Sequence, residues 1–175
     1  MRKIIFMIFI LFLSCKPSLI NSINQEYKYE YLEDDFTKIY ADCIRESRKA
    51  LLDILLSSNI VKNQRVYIVE IYNPQLNSLE AKIITTRFNY TYKRDNYDSC
   101  GNVKRWYPGE NYPHDYFDFL VSMAKENKFS ELTELYKKYP ISNSGLVYLT
   151  VVDFSENKRN YKLIKTISFP EFRIF

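Results

Sequence analysis

One histidine, one tryptophan and three glycines in 175 residues are the scarcities that narrow this chain's chemistry. Histidine is the usual acid–base group near neutral pH and the commonest metal ligand. A lone His114 therefore argues against a histidine-built metal centre or catalytic triad. No C-x-x-C pair is present to fix metal geometry. G-x-S-x-G, H-E-x-x-H and phosphate-cradling glycine loops are missing too, so no cofactor and no metal are expected. Low-complexity segments and internal repeats are also lacking. The net charge of +4 is small, and without Arg2 and Lys3 the 23 remaining Lys and Arg face 21 acids, leaving +2. With both signs interspersed and no basic stripe, no nucleic-acid partner is expected.

What the chain does have is aromatic side chains, 16 Tyr and 12 Phe, within an otherwise ordinary composition of 46% hydrophobic and 26% charged residues. Length and composition fit one folded domain behind a distinctive N-terminus. Met1-Arg2-Lys3 is a short positive segment, and Ile4 to Leu13 is an unbroken run of ten apolar residues. As a helix that run covers about 15 Å, half of a bilayer core, so it is too short to span. Its flanks fit the hydrophobic part of a secretory signal.

The segment Phe12-Leu13-Ser14-Cys15 closing this run resembles the lipobox of bacterial lipoproteins. Ser14 and Cys15 match the pattern, whereas Phe12 stands where Leu is commonest and Leu13 where a smaller residue is usual. The resemblance implies a lipid on the Cys15 thiol and cleavage before it, giving residues 1–14 as signal peptide. The new N-terminal cysteine of that class is usually acylated as well, and several acyl chains hold far more firmly than one. No acidic residue occurs from Lys16 to Gln25. By the same resemblance, the expected address is the cell envelope, on the outer membrane facing the periplasm. Residues 15–33 are then expected to be the lipidated cysteine and a polar tether, and 34–175 a single domain.

With Cys15 lipidated, Cys43 and Cys100 remain as an even pair in a chain sent to an oxidising compartment. A bridge between them would close a loop worth about 4 kcal/mol in the chain-entropy account. The alternative is a buried thiol at Cys43, on an apolar helix face, with Cys100 free in a loop.

Asp34-Asp35 suits a helix start, and Phe36, Ile39, Tyr40, Cys43, Ile44, Leu51, Ile54 and Leu55 recur at helical spacing until Ser57-Ser58-Asn59. Arg45, Glu46, Arg48, Lys49 and Asp53 are assigned mostly outside that stripe. Arg65–Tyr72 and Leu79–Tyr90 read as one hairpin broken at Asn73-Pro74, and Gly145–Phe154 with Tyr161–Phe169 as another. Helices are expected from Pro113 and from Ser130, the second ended by Pro140. The order α-ββ-αα-ββ predicts an α+β fold of two layers, an antiparallel sheet of about four strands with helices packed on one face.

The least regular stretch is Tyr92–Pro113, holding two of the three glycines and two of the six prolines. Long irregular segments are disproportionately functional. Its Arg94, Tyr97, Arg105, Trp106, Tyr107 and Tyr112 are the candidate binding residues, since aromatic faces beside guanidinium groups suit a protein surface or a sugar. The bland alternative is that these rings pack the loop down. Catalytic signals are weak: His114 and Asp115 adjoin without facing one another, and Asp115 is accounted for by the helix start. Glu70 lies in a hydrophobic strand, either buried with a raised pKa or turned to solvent.

The leading expectation is a non-enzymatic envelope lipoprotein, held to the membrane by its lipid and binding a protein partner in an accessory or inhibitor (immunity-type) role. Carbohydrate or peptidoglycan binding through the Tyr92–Pro113 segment is the alternative, and a hydrolase built on acids and His114 the third class. Replacing Cys15→Ser should abolish incorporation of labelled fatty acid, and a wild-type chain that takes up no label would refute the anchor.

Overall fold

A computed structural model describes residues 18–27, 35–96, 98–107, 115–139, 145–156 and 160–172, with 35–39 and 115 described in backbone only. The order is α1 (Leu19–Glu26), α2 (Asp35–Ser57), β1 (Arg65–Asn73), β2 (Ser78–Ile84), β3 (Asn89–Arg94), β4 (Lys104–Trp106), α3 (Asp115–Lys125), α4 (Phe129–Lys138), β5 (Leu146–Phe154) and β6 (Tyr161–Pro170). All six strands form one antiparallel sheet in the order β4-β3-β2-β1-β5-β6. The fold is α+β, as the strand and helix patterning predicts.

Two expectations are corrected. The sheet has six strands rather than about four, because the apolar run Leu79–Tyr90 turns back on itself. At that turn the Thr85 hydroxyl accepts hydrogen bonds from the Arg87 and Phe88 amides at 3.1 and 2.9 Å. A local side-chain bond of this kind offers the backbone an alternative to continuing the strand. The helices also cover both faces rather than one. Leu19, Ile23, Ile44, Leu51 and Leu55 of α1 and α2 join Val66, Ile68 and Tyr148 in one core. Phe117, Leu120, Val121 and Leu132 of α3 and α4 join Val69, Leu149 and Phe169 in a second core. β1 accordingly buries five consecutive residues, Val66 to Glu70, with neither face left to water.

Part of the segment expected as a tether is helical. Its residues 18–27 form α1, with the Asn21 amide capped by the Ser18 hydroxyl at 3.4 Å and Leu19, Ile23 and Tyr27 buried. The four-residue spacing of those side chains places them on one helix face. Three apolar residues suffice because a buried polar network receives the helix. Arg48 and Glu70, each 1% exposed, make a two-point ion pair at 3.1 and 2.8 Å. Arg48 also donates to the Asn24 side chain at 2.9 Å, and its guanidinium lies against both the Tyr27 and Tyr148 rings, 4.5 and 4.7 Å from their centres. The Tyr27 and Thr150 hydroxyls hydrogen-bond beside it. Burial pushes the Glu70 carboxyl above its ordinary range, and Arg48 opposes the shift.

Where the chain must enter the left-handed region it uses asparagine. Asn63, Asn77 and Asn127 have φ of 54°, 44° and 58°, and neither described glycine has a positive φ. Asn tolerates that conformation better than other residues with a side chain, because it bonds locally.

Removing one member of the buried pair leaves the other charge uncompensated, which costs about 3–5 kcal/mol. Arg48→Met and Glu70→Gln should each lose that much in urea denaturation, while Arg48→Met with Glu70→Leu should lose far less than the sum. Additive losses would show that the pair does not act as a unit.

Candidate binding surface

The segment after β3 is organised by short-range polar contacts and one covalent tie. Cys43 of α2 and Cys100 are joined by a disulfide, with Cα atoms 5.0 Å apart. Ser47, one helical turn on, donates to the Cys100 carbonyl at 2.6 Å. Asp98 accepts from the Asn102 amide group at 3.0 Å and pairs with Lys104 at 3.4 Å. The Asp98 and Asn102 amides close turns onto the Asp95 and Ser99 carbonyls at 3.0 and 2.8 Å. The chain thus re-enters the sheet as β4, beside β3, with Trp106 opposite Thr91 and Lys104 opposite Lys93.

The pleat of β4 divides the candidate residues. Trp106 and Lys104 share a face with Lys93, whose ammonium stands 5.1 Å from the indole centre. Arg105 points to the other face, its guanidinium 3.8 Å from the Tyr90 ring and 4.9 Å from the Tyr107 ring. Tyr107 is 72% exposed, Arg105 is exposed, and Trp106 is half-buried. On the Trp106 side a groove of about 260 Å³ is lined by Leu76, Glu80, Lys93, Asp95, Asn96 and Trp106. Leu76, 55% exposed at the β1–β2 turn, belongs to this groove and was not singled out in the sequence. The only available signal was an apolar residue inside the turn Asn73-Pro74-Gln75-Leu76-Asn77.

Arg94 borders the same groove from a buried position. It is 1% exposed beneath α2, donating to Ser47 at 2.9 Å and Asn77 at 3.3 Å, and lies 6.0 Å from the Tyr72 ring. Desolvation lowers its pKa. Strand alternation explains the placement: Tyr92 and Arg94 face the α2 side, and Tyr92 is part of the core there. The packed-loop alternative thus describes these two side chains. Cys15, Tyr97, Tyr112 and His114 lie outside the described residues.

A second depression, about 420 Å³, lies between the β2–β3 turn and α3, lined by Thr85, Arg87, Asp118, Ser122 and Lys125 among others. Asp118 pairs there with the buried Lys82 ammonium. Among the described residues no group of three or more His, Cys, Asp or Glu is placed to hold a metal ion. Comparison with protein-family models, curated proteins and solved structures finds no match.

The bridge closes a long loop, so its loss relaxes the unfolded chain by about 4 kcal/mol in the entropic account. Cys43→Ser with Cys100→Ser should lower the denaturation midpoint accordingly and expose residues 95–107 to protease. An unchanged midpoint on reduction would refute the structural role of the bridge.

Proposed function

We propose that this chain is an exported lipoprotein, cut before Cys15 and acylated there, whose folded part binds a protein partner without catalysing a reaction. The observation that carries the binding role is the disulfide-pinned return of the chain into β4. It holds a half-buried indole over Lys93 beside an open groove at a sheet edge. A fixed aromatic anchor loses little conformational freedom on association, which is why such rings dominate binding hot spots. The bridge itself suits an oxidising compartment outside the cytoplasm, and this supports the export reading.

The edge also favours one kind of partner. β4 is three residues long and two of them, Lys104 and Arg105, are exposed cations. A short charged edge resists strand addition, so recognition proceeds through side chains. Lys93 and Lys104 beside Trp106 are already paired with Asp95 at 3.3 Å and Asp98 at 3.4 Å, so the contact rests on the indole and on Leu76 across the groove, with a polar rim around them. Trp106 is the single aromatic side chain lining the groove among the described residues. That supports a protein contact over a sugar platform, which stacks its ligand between several rings.

The lipidated chain should be affinity-purified from its own envelope and the captured protein identified by mass spectrometry. Trp106→Ala should weaken that partner by a hot-spot increment, over about 2 kcal/mol or roughly 30-fold, with little change in melting temperature. A loss of about 3–5 kcal/mol in stability instead would place the ring in the core and remove the binding role. Retention on immobilised glycan strands, lost in the same variant, would favour the carbohydrate reading.

A further inference from the structure

The exit point of the chain towards Cys15 and a cluster of exposed aromatics and cations occupy the same end of the sheet. α1 begins there: its Ser22 hydroxyl meets the hydroxyl of Tyr161, the first residue of β6, at 3.2 Å. From that point α1 runs inward to Tyr27, which packs on Tyr148 and Thr150 further along β5. Ser18 therefore stands at the end where β1 starts at Arg65, β3 starts at Asn89 and β5 finishes at Phe154. Only Lys16 and Pro17 separate Ser18 from Cys15. Three peptide steps reach at most about 11 Å however they are arranged. An acyl chain on Cys15 would consequently hold this end of the sheet close to the bilayer, with α1 as a docked strut instead of a loose leash.

The surface at that end suits the position. Phe88 and Tyr107 are 37% and 72% exposed. They belong to a line of rings and one cation in which Phe88 stacks on Tyr90 at 5.7 Å and Arg105 bridges Tyr90 and Tyr107. Among the described residues of the strand ends and turns here, the exposed cations are Lys62, Arg65, Arg87, Arg105 and Lys162. Described acids near them include Asp153, already paired with Arg65 at 2.7 Å, Asp118, paired with the buried Lys82 beside Arg87, and Glu156. Aromatic rings at headgroup depth and cations towards anionic headgroups are what a bilayer surface selects. A basic patch is also the second attachment signal that reinforces an acyl chain.

Resting on the lipoprotein reading, we infer that this end of the sheet is a membrane-docking face for a phospholipid surface, with Phe88, Tyr107 and Arg105 at the headgroup level. The Trp106 groove then faces away. It opens beside Leu76 and Asp95, towards the opposite strand ends, and the six residues of β3 between the two ends extend roughly 20 Å. Of the adjacent side chains on β4, Arg105 serves the membrane and Trp106 the partner.

The test uses the full lipidated chain in vesicles of phosphatidylethanolamine and phosphatidylglycerol with brominated acyl chains, which quench only nearby indoles. Trp106→Phe removes the native signal, and Tyr107→Trp or Leu76→Trp then places one indole at either end. Both positions are exposed, so the fold tolerates the change. Labelled fatty acid on Cys15 is measured on the same samples. The expected result is loss of emission from the Tyr107→Trp protein relative to unbrominated vesicles, with the Leu76→Trp protein unchanged. Equal quenching at both ends, quenching at Leu76→Trp alone, or none at either in a labelled chain would overturn the docking face and leave the anchor standing. Absence of label would overturn the anchor and the docking face with it.

Discussion

Two opposite charges buried at the centre of the sheet set the terms for the rest of the molecule. Arg48 and Glu70 have both left water, and a cost of several kcal/mol each calls for close partners. The answer comes from four elements at once: Glu70 on β1, Asn24 and Tyr27 on α1, Tyr148 on β5, with Arg48 itself on α2. None of these can shift without stranding a charge in a low-dielectric interior. The pair therefore fixes position more than it adds stability. It also explains why a helix of eight residues, Leu19–Glu26, is held against the sheet, since isolated helices of that length are marginal in water.

Much of the framework was legible before the structure, and the failures share a cause. α2, both outer hairpins, and the helices near Pro113 and Ser130 follow from period and turn residues, and all are present with shifted ends. The pairing of Cys43 with Cys100 followed from counting the cysteines left once Cys15 is set aside. Arg48 is charged yet buried, because the steps from Ile44 to Arg48 to Leu51 to Leu55 put it on the apolar stripe. Its partner, Glu70 amid Val-Tyr-Ile-Val and Ile-Tyr, was the other half of that signal. The same unbroken run announced a strand covered on both faces. Periodicity read one element at a time cannot tell which of two faces receives which helix; only the count of helices against apolar strand surface does.

The binding residues were legible as a region but not as surfaces. Sequence placed Arg94, Arg105, Trp106 and Tyr107 together in one irregular stretch. The structure sorts them by strand alternation: Arg94 goes inward under α2, Trp106 to a groove, and Arg105 with Tyr107 to the opposite face. Two short strands hidden inside apparent loop were responsible, and a three-residue strand such as β4 has too little pattern to be read. Scarce glycine had a visible consequence as well, because asparagine occupies all three left-handed turn positions among the described residues.

Among the described residues the sheet ends in two borders, β4 and β6, and neither is a good template for another chain. β4 is brief and cationic, while β6, at the far border, carries exposed Lys162 and Lys165 and pairs with β5 across an irregular register at Val151 and Val152. Charges and bulges of this sort disfavour edge-to-edge pairing. Confinement to a lipid surface raises the frequency with which copies collide side by side, in orientations that repeat. A long, flat, neutral border would turn such encounters into two-dimensional polymerisation. Under the lipid anchor proposed above, a kinked β6 border carrying exposed lysines would keep the copies dispersed at densities that would order a less guarded sheet.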